Sequence, residues 1–252
     1  MRVFNTIHEA YLAALKEVWY EPEYICSPRG MDIKEITDYT FKVLSPSDEA
    51  IITNDTVRNK IIQDYTQKET ILYDSCTNRV EDFMKASKFW GKLANPDGTV
   101  NSAYGHLIWK KKSAGYPVFE LNDSNKGEQL MRTPWEWAKQ SLMRDKDTRQ
   151  AILRFNLPEH AWFGNKDFTC TMHGNFLIRD DKLNLSIVMR SNDLVKGVTY
   201  DLPWFMSLMD KMVEELKPTY PNLEKGTYTH TAHSMHIYAR DEEVVLKMLG
   251  EV

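Results

Sequence analysis

The sequence predicts a mixed α/β protein built as a single domain over residues 1–252. Three observations point there. Apolar residues recur at helical spacings of three and four in the first half, and three β-like runs crowd together from residue 150 onward. No repeat, low-complexity tract or linker divides the chain. With 252 residues it can bury a large core, and 42% hydrophobic with 27% charged residues is ordinary for a globular protein.

Taken in order, "IHEAYLAALKEVWY" places Ile7, Tyr11, Leu12, Leu15 and Val18 on one face of an amphipathic helix. After the turn "SPRG", the β-branched segment "MDIKEITDYTFKVLSP" reads as a strand. Residues 55–74 and 78–93 read as helices, the second stopped by the Pro and Gly of "ANPDG". "GEQLMRTPWEWAKQSLMRD" is helical, with Pro134 at a start or kink. "QAILRFN", "FTCTMHGNFLIRD" and "KLNLSIVMRS" are strands, the last two joined as a hairpin by "RDDK". Cys170 falls inside the second of them. "YDLPWFMSLMDKMVEELK" is a strongly periodic helix, "GTYTHTAHSMHIYARD" an alternating strand and "DEEVVLKML" a closing helix.

Composition excludes several functions. A net charge of -4 leaves no basic footprint for a nucleic acid polymer, so any nucleotide bound is small. The three cysteines, Cys26, Cys76 and Cys170, are far apart and lack zinc spacing, which suits a reducing compartment. The N-terminus lacks the pattern of a signal peptide, and no run approaches a membrane span, so a cytoplasmic protein is expected. Alternation would put His230 and His236 on one strand face, yet no carboxylate stands at a suitable spacing and no metal is expected.

Two constellations suggest an anionic ligand. Arg149 in "DKDTRQ" and Arg190 with Ser191 in "MRSND" offer guanidinium forks and a hydroxyl suited to phosphate oxygens, although surface ion pairs explain isolated arginines equally well. Arg190, Ser191, Asn192 and Asp193 crowd the end of an apolar strand, where binding and helix capping both favour polar groups.

In this order, "NSAYGHLIW", "DKDTRQAILRFN", "CTMHGNFLIRDDKLNLSIVMRSNDLVKG" and "HSMHIYAR" resemble the thymidylate synthase family across roughly residues 25–245. Twenty residues separate Cys170 from Arg190, as they separate the family's nucleophile from a phosphate-binding arginine. Fourteen separate Trp90 from Tyr104, matching a folate-side tryptophan and an active-site tyrosine. The resemblance implies an α/β (α+β) mixed sheet with flanking helices, packed back to back in a homodimer. It implies that the Cys170 thiolate adds to C6 of a pyrimidine monophosphate, turning C5 into a nucleophile toward 5,10-methylenetetrahydrofolate. A neighbouring arginine is expected to favour that thiolate.

Other roles follow from the same resemblance. Arg29 would close on the phosphate beside Arg190 and Ser191, and Arg149 would be donated across the dimer interface. Gln150 stands where the family usually has a second arginine. His236 and Tyr238 would bond the sugar 3′-hydroxyl. Asp193, near Gly197, would order the pterin, and Phe89, Trp90 and Leu93 would form the folate wall. Asp201 stands where thymidylate synthases carry asparagine. With Asn192 in "RSND", it resembles the phage deoxycytidylate hydroxymethylase branch, which uses dCMP. A carboxyl group there can accept from the cytosine amino group, and it also suits a helix N-cap. Ser191 matches the deoxynucleotide-using members.

The family also uses a glutamate to order water. Aligning "NDTVRNKIIQDYTQKE" puts Ile61 there, with Asp64 or Glu69 available in another register. A dCMP methylase, a CMP- or dUMP-using relative and a non-catalytic nucleotide-binding homologue therefore remain alternatives. In a phage, the host cytoplasm would be the location.

Overall fold

The computed structural model describes residues 1–112 and 132–252. Its strands are β1 (Arg2–Phe4), β2 (Tyr24–Cys26), β3 (Ile33–Val43), β4 (Ile152–Arg154), β5 (Thr171–Arg179), β6 (Lys182–Met189), β7 (Asn192–Asp193) and β8 (Glu224–Tyr238). Its α-helices are α1 (Ile7–Tyr20), α2 (Thr56–Asp74), α3 (Val80–Ala86), α4 (Tyr104–Trp109), α5 (Pro134–Arg144), α6 (Val198–Leu216) and α7 (Glu242–Leu249). One mixed sheet runs in the order β1-β3-β8-β6-β5-β4, with β2 paired to β3 and β7 to β8. None of the described helices is long and apolar enough to cross a membrane.

Local chemistry explains most boundaries. Thr6 and Glu9 form a capping box that starts α1, whose buried Ile7, Tyr11, Leu15 and Val18 join the core. Thr133 and Glu136 do the same for α5, with Pro134 in its first turn. Residues 127–131 of that expected helix lie outside the described ones. The β5–β6 hairpin turns through Asp180 (φ 51°) and Asp181 (φ 55°), the left-handed pair that a two-residue hairpin loop requires.

Two expectations need correction. The helix expected over 78–93 breaks at Ser87, which leaves α3 followed by a 3₁₀ turn over Lys88–Lys92. The Ser87 hydroxyl accepts from the Phe89 N–H and so caps the second piece. His230 and His236 do not share a face. β3 and β8 break together at Asp38 (φ 48°) and His233, and the core-facing positions of β8 pass from Tyr228, His230 and Ala232 to Met235 and Ile237. A two-residue alternation survives on either side of that break but not across it. His230 therefore stacks on Phe41 in the core at 5.2 Å, whereas His236 faces the other way.

An aromatic cluster underlies the strand ends. Trp204 and Phe205 of α6 meet Tyr73 of α2, Tyr104 of α4 and Phe155, with ring centroids 4.8 to 6.3 Å apart. Gly105 allows α4 to approach α2 so closely that a Cβ there would sit 1.8 Å from the Tyr73 carbonyl oxygen. This contact fixes Tyr104 within the cluster.

Candidate active site

Cys170 lies just before β5 rather than within it, and the Arg190 backbone N–H bonds its carbonyl at 2.9 Å. That bond joins the entry to β5 with the exit of β6 and brings together residues twenty apart in sequence. The Sγ lies 3.4 Å from Arg190 Nη2 and 3.8 Å from Ser191 Oγ. Arg190 also donates to the Thr169 carbonyl at 3.2 Å and to Ser191 Oγ at 3.2 Å, so its fork is held rigidly. Burial pushes the Cys170 thiol up, and Arg190 and Ser191 pull it only part of the way back. This reverses the expected depression. Desolvation of the thiolate outweighs one guanidinium shared among several acceptors.

Behind the cysteine stand two carboxyl groups. Asn192 Nδ2 donates to Asp201 Oδ2 at 2.7 Å, while the other end of the same amide, Oδ1, is buried with no partner. Burial holds the Asp201 carboxyl up at about 7. Glu69, 7% exposed on α2, is raised to about 8 by burial and then by the charge of Asp201. Ile61, by contrast, is 50% exposed, and Asp64 pairs with Lys68 at the surface. Ile61 thus brings no acid to the position aligned with the family's glutamate, and of the acids weighed on α2 Glu69 is the buried one. Tyr104 is buried within electrostatic reach of both Asp201 and Cys170, which together with desolvation keep its hydroxyl protonated.

A second group gathers along β7 and the end of β8. These strands pair in parallel, with Asp193 opposite His236. Asp193 Oδ1 accepts from the backbone N–H of Val195 at 2.8 Å and of Lys196 at 3.3 Å, tying the turn that leads into α6. Gly197 completes that turn, since a Cβ would lie 2.9 Å from Asn192 Nδ2. His236 Nδ1 lies 3.2 Å from the Ser234 carbonyl, which can only accept. Nδ1 therefore carries a proton, and Nε2 is left to meet a ligand. Tyr238 meets His236 edge-on at 5.3 Å. Arg29 is exposed in a left-handed conformation (φ 55°), close enough to Tyr238 to counter part of the rise that burial gives its hydroxyl pKa.

Of the remaining sequence candidates, Trp90 is buried and connected, Leu93 is part-buried, and Phe89 is 58% exposed on the same 3₁₀ turn. Arg149 is exposed, has no hydrogen bond or ion pair to any described residue, and meets no other candidate within the chain. Sequence reasoning missed Tyr65, whose hydroxyl joins Trp90 to Glu69, and Asp167, which accepts from the Ser102 N–H at 2.8 Å and so ties the approach to Tyr104 to the approach to Cys170. The signal for Tyr65 was present: it lies four residues before Glu69, on the same helix face.

Comparison with known proteins shows what the chain is similar to. The family model described as Thymidylate synthase matches residues 9–251. A deoxycytidylate 5-hydroxymethyltransferase of Enterobacteria phage T6 is 27% identical over 227 residues, covering 87% of this chain and 81% of the relative. A deoxyuridylate hydroxymethyltransferase of Bacillus phage SP01 is 26% identical over 239 residues, covering 92% of this chain and 57% of the relative. The solved structure of thermostable thymidylate synthase A from Bacillus subtilis superposes with a TM-score of 0.68 at 18% identity, covering 96% of this chain and 84% of that one.

Proposed function

From the premise that the chain belongs to the thymidylate synthase family, we propose that it transfers a one-carbon unit to C5 of dCMP and completes the reaction with water, giving 5-hydroxymethyl-dCMP. One observation carries the choice of base. The unpartnered Oδ1 of Asn192 and the carboxyl of Asp201 set two acceptors side by side in a buried site. An exocyclic amino group with two N–H bonds satisfies both, whereas the O4 of uracil would face them with lone pairs.

The residues divide the work as follows. Asp201, near pH 7 a mixture of acid and carboxylate, gives a proton to N3 of the cytosine and makes C6 electrophilic. Cys170 then adds to C6, forming the S–C6 bond and moving the electron pair toward C5. Arg190 and Ser191 hold the phosphate with Arg29, and His236 Nε2 accepts from the sugar 3′-hydroxyl alongside Tyr238. The aromatic turn fits a folate, because Phe89 stands exposed beside the buried Trp90 and Leu93 is part-buried next to them. When bound there, 5,10-methylenetetrahydrofolate supplies the electrophilic carbon. Asp193 would order its pterin, with Gly197 letting the backbone close around it. Water hydrogen-bonded to the protonated hydroxyl of Tyr104 would take the C5 proton as the folate amine departs, which leaves an exocyclic methylene at C5. Glu69 takes the proton from the water that adds to the exocyclic methylene, and Cys170 leaves from C6 to restore the aromatic ring. Arg149, unpartnered among the described residues, would reach the phosphate of a second copy in a back-to-back homodimer.

Incubation with [5-³H]dCMP and methylenetetrahydrofolate tests this reading through tritium release and product mass. Release with 5-hydroxymethyl-dCMP supports it, while 5-methyl-dCMP would make the chain a methylase. Turnover of dUMP or CMP in place of dCMP would overturn the assignment of base or sugar. Silence with all three would favour a binding-only relative.

A further inference from the structure

We infer that Tyr65 is a positioning residue for Glu69, locking Oε1 of the carboxyl as a permanent acceptor so that protons enter and leave only through Oε2. The geometry leaves one consistent direction of donation. The Trp90 indole N–H can only donate, and it points at the Tyr65 oxygen at 2.9 Å. The single phenolic proton of Tyr65 is thereby directed to Glu69 Oε1, 3.1 Å away. A tilted contact of Tyr65 with the Tyr200 ring at 4.4 Å holds its ring, and Arg58 Nη2 in turn fixes the Tyr200 hydroxyl at 3.0 Å. Burial keeps the Tyr65 hydroxyl protonated, so it stays a donor throughout the working pH range. A folate seated on the turn that carries Trp90 would press on the far end of the same relay.

The groups facing Glu69 are Tyr65 and Tyr73 from α2, and Asp201 and Tyr200 from α6. Tyr104 of α4 stacks behind Tyr73 at 5.3 Å. The Tyr65 and Tyr73 hydroxyls hold the carboxyl back from a still higher pKa than about 8. Removing one of them moves its titration further up.

The inference rests on the proposed reaction only for its kinetic consequence, so the first test needs no turnover. In ¹⁵N-labelled protein, the Trp90 indole resonance, assigned with Trp90→Phe, should titrate with a midpoint near 8 and stop titrating in Glu69→Gln. Tyr65→Phe keeps the ring and its tilted contact and should abolish the titration of that resonance. A flat wild-type profile, or an unchanged titration in Tyr65→Phe, overturns the relay. Kinetically, Tyr65→Phe should lower kcat about tenfold or more with KM for dCMP within about threefold, and should move the pH midpoint of kcat upward. An unchanged kcat and midpoint would overturn the positioning role. A protein that passes the resonance test but turns over no nucleotide would refute the proposed reaction and leave the relay standing.

Discussion

Replacing Asp201 with asparagine should exchange cytosine for uracil, and the structure states how strongly. Asn192 Nδ2 donates to one oxygen of residue 201 at 2.7 Å, and in Asp201→Asn the carbonyl oxygen must take that place to avoid two donors meeting. The new –NH₂ is then turned toward the base. Against cytosine it faces the amino group donor to donor, and the acid that protonates N3 is gone. Two buried polar groups left unpaired at about 1–3 kcal/mol each amount to about 2–6 kcal/mol, or roughly 30-fold to 10⁴-fold in kcat/KM. Against uracil the same –NH₂ donates to O4, so turnover of dUMP should rise. The assay is tritium release from [5-³H]dCMP and [5-³H]dUMP over a range of pH. Wild-type activity on dCMP should fall as pH rises past about 7, where Asp201 loses the proton it must donate, and the variant should lack that limb. A variant that keeps its preference for dCMP within tenfold of the wild-type ratio would refute the reasoning.

Three further outcomes are expected. Alkylation of Cys170 by iodoacetamide, followed by peptide mass spectrometry, should have its pH midpoint above that of an ordinary thiol, and Arg190→Gln should raise it further; a midpoint below the ordinary value would contradict the desolvated thiol. The carboxyl of Glu69, normal when unfolded and raised to about 8 when folded, contributes stability that is intact below the unfolded pKa and lost as pH rises to about 8. Glu69→Gln should therefore gain stability over wild type by up to a few kcal/mol at pH 9 and much less at pH 5, as read from thermal melts. Gly105→Ala must push α4 away from the Tyr73 carbonyl and should cost more than about 3 kcal/mol, and a melting temperature within two degrees of wild type would show that the contact is soft.

The elements with strong local signals were legible from the sequence. The periodic faces of α1 and α6 and the hairpin through Asp180 and Asp181 lie where apolar spacing and turn chemistry put them. The three-residue strands β1 and β2 carry no period long enough to read, and they exist because the edge of β3 that β8 leaves open takes one of them at each end. The joint break at Asp38 and His233 was half hidden: the apolar pattern of β3 alternates imperfectly from Ile36 to Tyr39, β8 alone looks regular, and only their pairing shows where alternation stops. In the site, Cys170, Arg190 and Asp201 were picked out by the resemblance of their motifs, and the hairpin and one turn bring them together. Glu69 was less so, since a helix admits several acids at nearby positions and only the packing of α2 on α6 decides which one turns inward.

That packing also ties the chemistry together. Glu69 and Asp201 stand in one water-poor site and raise the cost of ionising each other, so near neutral pH at least one proton stays between them. The proposed reaction needs a donor early, when N3 must be protonated for Cys170 to add, and an acceptor late, when water attacks the methylene carbon. With values of about 7 and about 8, a minor fraction of the sites carries the proton on Asp201 with Glu69 ionised, and that distribution serves both roles provided each carboxyl faces only its own partner. Asn192 keeps one oxygen of Asp201 as an acceptor, and Tyr65 does the same for one oxygen of Glu69. With both carboxyls oriented in this way, the early proton goes to the base and the late one comes from water. A hydroxymethyl product requires that division of labour, because transfer of hydride would need no base at the methylene carbon.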